Sequence, residues 1–346
     1  MPVASDAATV TAVVVSWNGG AKLLDCLHAL AAQSRPFDAI VLVDNGSTDG
    51  SIEAVVAALP TVRVVPLPHN TGFGAGVNRG VTASATQWVA LINNDAMADR
   101  NWLAHCLTAA ESHPDVGMVA CMVKLDLTAG VIDKVGHRMA IDGQNFGRGH
   151  RHIDRGQYND VDSVAWPDGC ASLWRRSAFV DLGGMDEEFF AYADDADLGI
   201  RFRLAGWRCA LAPRALVEHR HSQTLGAYSA RKLYLVERNR IWLAAKYFPP
   251  RLLALNGLFW SWRALLTLRA ARAVAGSWAL APKLGRMQAA RAVARAQLDG
   301  WRGLPRQWRK RAQLTAQCGA DWPRRFDALR REAHVSLASL AAADVS

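Results

Sequence analysis

Apolar runs long enough to cross a bilayer are missing from this chain. Across its 346 residues the longest uncharged apolar stretches near the C-terminus, 252–262 and 273–282, fall far short of the roughly 20 residues a spanning helix needs. Paired cysteines are missing too: Cys26, Cys106, Cys121, Cys170, Cys209 and Cys318 are scattered, with no metal-hook or redox spacing. That pattern excludes a disulfide framework, and isolated thiols suit a reducing compartment. MPVASDAATV has no basic stretch leading into an apolar core, so no secretory leader is expected. There is no internal repeat, and 51% hydrophobic residues exclude disordered and fibrous classes.

Acidic residues are scarce in one region only. Residues 1–239 carry 21 basic and 26 acidic side chains, whereas residues 240–332 carry 19 basic and 4 acidic, so the net +9 averages two unlike regions. The basic region also holds seven of the 13 tryptophans: Trp242, Trp260, Trp262, Trp278, Trp301, Trp308 and Trp322. Helices with Arg on one face and Trp, Leu and Phe on the other suit an anionic membrane surface, with packing onto the rest of the protein as the alternative. Nucleic acid is not an expected partner, because no nucleic-acid module accompanies the arginines.

What is present begins with four short apolar runs, VTAVVVSW (10–17), AIVLVDNG (39–46), VRVVPLP (62–68) and WVALINND (88–95), separated by helical segments at 21–33 and 51–59. Continuous Val, Ile and Leu suit strands buried on both faces, hence an α/β fold with a mostly parallel sheet. Ligands of such sheets bind beyond the carboxyl ends of the strands. The residues closing each run therefore form one rim: Ser16, Trp17 and Asn18; Asp44 and Asn45; His69 and Asn70; Asn93, Asn94 and Asp95. Residues 125–162 show weak periodicity and read as a functional loop or lid.

GFGAGVNRG (72–80) fails the dinucleotide frame, since Val77 and Arg79 stand where the third glycine would be and the segment follows the third strand. Asp95 ends a buried strand and suits a hard cation such as Mg²⁺ or Mn²⁺; capping the next turn is its alternative role. In DDADLGIRFRLAGW, Asp194, Asp197 and Arg201 share a helix face, with Asp195 beside them at the helix start. These acids are either helix-start charges paired with arginine or the source of a general base.

Taken in order, VVVSWNGGAKLLDCLHAL, IVLVDNGSTDGS, HNTGFGAGVNRG, LINND, DGCASLWRR, LGGMDEEFFAYADDADLGIRFRLAGW, VEHRHS and YLVERNRIWLAAKYFP resemble the inverting family 2 glycosyltransferases of GT-A fold, and within them the rhamnosyltransferase-like members that build bacterial surface polysaccharides. The resemblance covers about residues 9–250. It implies that Ser16, Asn18 and Asp44 hold base and ribose, that Phe73, Gly74 and Asn78 flank the nucleotide, and that Asp95 binds the metal, Mg²⁺ or Mn²⁺, bridging the diphosphate. Asn93 and Asn94 stand where relatives carry an acid or a proline, which makes a second ligand more important, and His219 is the residue the resemblance brings nearest; His221 is a weaker candidate. Asp195, with Asp194, maps onto the acidic pair that supplies the base. Trp166, Asp168 and Gly169 would line the sugar and acceptor pockets.

The expected division is a catalytic domain at 9–235, made of a nucleotide half (9–98) and an acceptor half (99–235), then a helical basic region at 236–335, with tails at 1–8 and 336–346. The expected partners are a nucleotide-sugar donor, dTDP-rhamnose favoured, a glycan or lipid-linked glycan acceptor, and the inner face of a cytoplasmic membrane; a homo-oligomer stays open. A UDP- or GDP-sugar donor, or a noncatalytic nucleotide-sugar-binding subunit, are the alternatives.

Overall fold

A computed structural model describes residues 8–220, 229–269, 285–336 and Ser339. His221, Trp278 and most of both tails lie outside the described residues.

The first half alternates as its apolar runs predict: β1 (Val10–Ser16), α1 (Gly20–Ala31), β2 (Ala39–Asp44), α2 (Ser51–Ala58), β3 (Arg63–Pro66), α3 (Phe73–Thr82) and β4 (Trp88–Asn93). Next come β5 (Ala96–Ala98), α4 (Trp102–Ala110), β6 (Val116–Asp126), β7 (Val131–Lys134), β8 (His137–Ala140), β9 (Asn145–Gly147), β10 (Ala171–Arg175) and α5 (Arg176–Asp181). After a one-turn 3-10 helix at Glu187–Phe189, the chain forms α6 (Asp194–Leu204), β11 (Arg208–His219), α7 (Ala230–Tyr247), α8 (Pro250–Arg269), α9 (Arg286–Cys318), α10 (Trp322–Glu332) and β12 (His334–Val335).

The main sheet has the order β3-β2-β1-β4-β10-β6-β11-β5, with β7 also paired to β6. β3, β2, β1 and β4 run parallel, and β10 enters antiparallel beside β4. Parallel register of Ser16 with Asp44 and of Val15 with Asn93 brings the closing residues of three strands to one edge. α3 lies close upon β1 because its glycines remove the intervening side chains: a Cβ at Gly76 would strike Val15, and one at Gly80 would strike Val13. The glycine-rich run thus serves helix-on-sheet contact, and only Gly72 in it needs a left-handed backbone, at φ 96°.

Two expectations need correction. Residues 125–162 are not a structureless lid: they contain β7, β8 and β9. Strands of three or four residues are too short to show a period of two, and Gly130, Gly136, Gly143 and Gly149, all at positive φ, set the turns between them. The boundary at 235/236 falls inside α7. Trp242, Leu243, Tyr247 and Phe248, together with Leu314, Trp322 and Phe326, belong to the same buried cluster as Val13, Leu91 and Phe202. β12 moreover adds a parallel strand to β8, so the C-terminal helices share the core of the first 220 residues.

Candidate active site

The rim assembles from the strand ends. Ser47 N donates to Asp44 Oδ1 (2.8 Å), Thr48 N to Asn18 Oδ1 (2.8 Å) and Asn18 N to Ser47 Oγ (3.0 Å), which ties the β1 and β2 ends into one loop pair. Asp44 and Trp17 are half-buried at the opening and Asn18 is exposed. Ser16 is buried and its hydroxyl accepts from Asn94 Nδ2 (3.0 Å), so these two brace the rim from beneath. Asn45 is buried and donates to Gly72 O (3.0 Å), which fixes the loop before α3. Asn93 is half-buried, and its N–H donates to Cys170 O (2.8 Å), joining the donor rim to the Asp168–Gly169 turn.

Asp95 meets His219 through the sheet. β5 pairs antiparallel with the end of β11, His219 opposite Ala96, and this sets His219 Nε2 3.5 Å from Asp95 Oδ1. His219 Nδ1 lies 3.0 Å from Asp133 Oδ2, so one imidazole sits between two buried carboxylates. Burial opposes its charging, yet the contacts with Asp133 and Asp95 hold its pKa well above the ordinary value. Beside it, Asp168 Oδ2 is 3.1 Å from Lys134 Nζ and 3.2 Å from His137 Nε2. Against burial, Lys134 and His137 hold Asp168 far below the usual carboxylate range.

Asp194 and Asp195 begin α6, and the segment before them is strained. Phe190, Tyr192 and Ala193 have φ of 67°, 67° and 63°, a left-handed region that costs side-chain-bearing residues of order 1 kcal/mol or more each. The strain is held by Asn239 of α7, fully buried, whose Nδ2 reaches Phe189 O (3.1 Å), Ala191 O (2.8 Å) and Tyr192 O (2.7 Å). Phe73 N donates to Phe190 O (2.6 Å) from the other side. The result places Asp195 against the Asp168–Gly169 turn, with Gly169 N donating to Asp195 Oδ2 (2.9 Å) and Phe73 packed on Gly169. Gly74 lies against Asp194 Oδ2, and a side chain there would crowd that carboxyl.

The two acids differ in exposure. Asp194 is buried, its Oδ2 has no hydrogen-bond partner among the described residues, and burial followed by repulsion from Asp195 pushes its pKa up to about 8. Asp195 is half-buried at the helix N-terminus, and burial raises its pKa as well. Near neutral pH burial thus favours the protonated form of Asp194, and Asp195 is the less buried of the two carboxyl groups. Asp197, by contrast, is spent on Arg201 (2.8 Å) and Lys246 (2.7 Å) in the core.

Two predicted ligand residues serve the framework instead. Trp166 is fully buried against α6, where Gly199 leaves room for its ring, so it underlies the acceptor side without lining it. Asn78 uses its amide on Met185 (2.9 Å to O, 2.8 Å from N) and Glu187 (3.0 Å), holding the turn that precedes α6. Conversely, Asp133, Lys134, His137 and Asn239 escaped the sequence reading. The first three sit in the segment without periodicity, and Asn239 lay within the quoted ERNR run.

Asn239→Ala would leave three backbone carbonyls without their shared donor; we expect about 2 kcal/mol or more lost in urea denaturation and a fall in turnover larger than any rise in donor KM. Asp194 yields a pH signature. Its folded pKa of about 8 exceeds the unfolded value near 4, so between these limits the native state binds the extra proton and stability declines as pH rises. Asp194→Asn should lessen that decline between pH 5 and 8 by about 1 kcal/mol or more; equal slopes for the two proteins would disprove a protonated Asp194.

With this geometry established, residues 7–234 match the family described as Glycosyltransferase like family 2. The chain is 30% identical over 294 residues to N-acetylglucosaminyl-diphospho-decaprenol L-rhamnosyltransferase of Mycobacterium tuberculosis, covering 74% of this chain and 90% of that one. Among solved structures, it resembles GalNAc-T7 with UDP, GalNAc and Mn²⁺ (TM-score 0.57, 13% identity, 71% of this chain and 49% of that one). It also resembles the mannosyltransferase from Pyrobaculum calidifontis in complex with GDP-Man and Mn²⁺ (TM-score 0.52, 18% identity, 94% and 87%). These likenesses extend the fold to the GT-A class. The chain belongs to glycosyltransferase family 2 and is a glycosyltransferase.

Proposed function

We propose that this enzyme transfers a deoxyhexose, rhamnose from dTDP-rhamnose, with inversion onto a lipid-linked glycan. The observation that carries the reading is the position of Asp195: a half-buried carboxyl group at the start of α6, at the seam between the strand-end rim and the Asp168–Gly169 turn. The rhamnosyl donor and lipid-diphosphate acceptor follow the M. tuberculosis relative, whose name specifies both.

Asp44, Asn18 and Trp17 supply the exposed edge for base and ribose, and Phe73 and Gly74 close the space beside Asp195. Asp195 accepts the proton of the acceptor hydroxyl as that oxygen attacks the anomeric carbon opposite the departing nucleotide diphosphate. Its two oxygens already accept from Gly169 N (2.9 Å) and Ala196 N (2.8 Å), which orients the carboxylate while leaving a lone pair on each. Protonated Asp194 cannot compete for that role and lowers the charge repulsion at Asp195.

The donor set fits a divalent cation. Asp95 and His219 are neighbours at the rim, Asp133 backs the imidazole, and these two buried carboxylates present negative charge where a diphosphate would otherwise be repelled. Mg²⁺ or Mn²⁺ held by Asp95 and by the neutral form of His219, with Nε2 giving up its proton to the incoming metal while Nδ1–H stays on Asp133, would neutralise charge on the nucleotide diphosphate. The other acidic cluster, His137, Asp168 and Asp195, has ligand atoms within 4.8 Å of one another, but Asp168 is already matched by Lys134. We assign that cluster to the acceptor side.

The C-terminal helices support a membrane-surface site of action. No helix among the described residues is long and apolar enough to cross a membrane. Trp242 and Trp322 are buried and serve packing, whereas Trp262 (54%), Trp301 (65%) and Trp308 (52%) are exposed among arginines. Packing and lipid contact are thus divided between residues of one region.

A panel of dTDP-, UDP- and GDP-sugars tested for metal-dependent binding and turnover decides the donor. Asp195→Asn should lower turnover by at least about a thousandfold while metal-dependent nucleotide binding stays within about twofold; full activity in this variant would exclude Asp195 as base. In flotation with liposomes, the enzyme should rise with vesicles containing anionic lipid and remain behind with neutral ones, and indifference to lipid charge would refute the membrane contact.

A further inference from the structure

Beside the catalytic rim, the first turns of α7 and the beginning of α9 enclose an open cleft of about 980 Å³. Three guanidinium groups line it, Arg231, Arg291 and Arg295, together with Tyr234, Met287 and Ala292. Arg231 stacks over the Phe190 ring at 4.7 Å and Arg295 over the Tyr234 ring at 5.4 Å, so aromatic faces hold their planes and leave N–H edges for a ligand. The lone nearby acid, Asp299, lies 3.6 Å from Arg295 and is shared with Tyr234 (2.9 Å) and Arg302 (3.4 Å). Among the described residues Arg231 and Arg291 have no carboxylate partner.

The cleft adjoins the reaction centre through the strained segment. Phe190, under Arg231, accepts from Phe73 N, and Lys232 packs over Tyr192 at 5.5 Å, two residues before Asp194. On its other side the cleft opens onto an apolar stripe: Met287, Leu298, Trp301 and Trp308 of α9 recur at helical spacing and are 68%, 51%, 65% and 52% exposed. Unmatched guanidinium groups beside exposed apolar side chains suit a ligand with a phosphate head and a hydrocarbon tail.

We propose that this cleft binds the diphosphate of a polyprenyl-diphosphate-linked acceptor, with Arg231 and Arg291 on the phosphates, Arg295 beside them and the α9 stripe along the lipid chain. This rests on the lipid-linked acceptor of the proposed function. It assigns the acceptor's anionic end to residues outside the Asp95–His219 donor site, so the two phosphate-bearing substrates use separate cations.

The test uses the full chain and three probes: farnesyl diphosphate, inorganic diphosphate and farnesol, with binding followed by calorimetry. Farnesyl diphosphate should bind the wild type more tightly than either of the others. Arg231→Gln with Arg291→Gln should weaken it at least about tenfold while metal-dependent dTDP or UDP binding and the melting temperature stay unchanged. Wild-type affinity for farnesyl diphosphate in the double variant would overturn the proposal, as would a parallel loss of nucleotide binding, which would assign the arginines to the donor. Turnover with a water-soluble glycan equal to that with a lipid-diphosphate acceptor would refute the lipid-linked reading, and the binding comparison would still decide the cleft.

Discussion

Buried negative charge at the carboxyl edge of the sheet is the constraint around which this enzyme is organised. Asp95, Asp133, Asp168 and Asp194 are all buried within one region, and a carboxylate withdrawn from water must find a cation or keep a proton. Each solution is present. His219 lies between Asp95 and Asp133, Lys134 and His137 neutralise Asp168, and Asp194 is held near its neutral form by burial and then by Asp195 beside it. The outcome is that chemically identical side chains are set apart by environment alone, into those matched by a cation and one that burial keeps near its neutral form.

The helical C-terminal region takes part in that division. Asn239 of α7 reaches three carbonyls of the segment before α6, and without it the Ala191 and Tyr192 carbonyls beside Asp194 and Asp195 would lose this buried donor. Lys246, from the same helix, matches Asp197 in the core. The basic composition after residue 240 therefore has two causes. Some cations are internal counter-charges, such as Lys246 and the Arg240 and Arg263 side chains set against Asp142 and Glu237. Others, such as Arg291 and Arg295, are exposed and available to an anionic partner.

The parts of the fold that could be read beforehand are those governed by local pattern. β1, β2, β3 and β4 follow their apolar runs because a strand buried on both faces needs uninterrupted Val, Ile and Leu. Their closing residues were readable as a rim because parallel strands share one carboxyl edge. The segment 125–162 was misread for the opposite reason: β7, β8 and β9 are three or four residues long, too short to show a period of two, and one of their partners, β12 beside β8, is distant in sequence. Asp133, Lys134 and His137 were lost with it. Trp166 was misread because a tryptophan near a Gly-Cys turn looks like a pocket wall until Gly199 is seen to admit its ring beneath α6.

By itself the sequence determined the alternating α/β half, the residues that close its strands and the pair Asp194–Asp195 at a helix start, since these follow from periodicity, from strand ends and from the order of the motifs. Only the tertiary structure decided which of those side chains stay open to the surface and which are buried in the frame. Burial and pairing are properties of elements far apart in the chain: β5 against β11 sets Asp95 beside His219, β7 brings Asp133 behind it, and α7 delivers Asn239 to the turn before α6. Protonation state depends on the same long-range placement, because it is desolvation and neighbouring charge, not residue type, that separates Asp194 from Asp195.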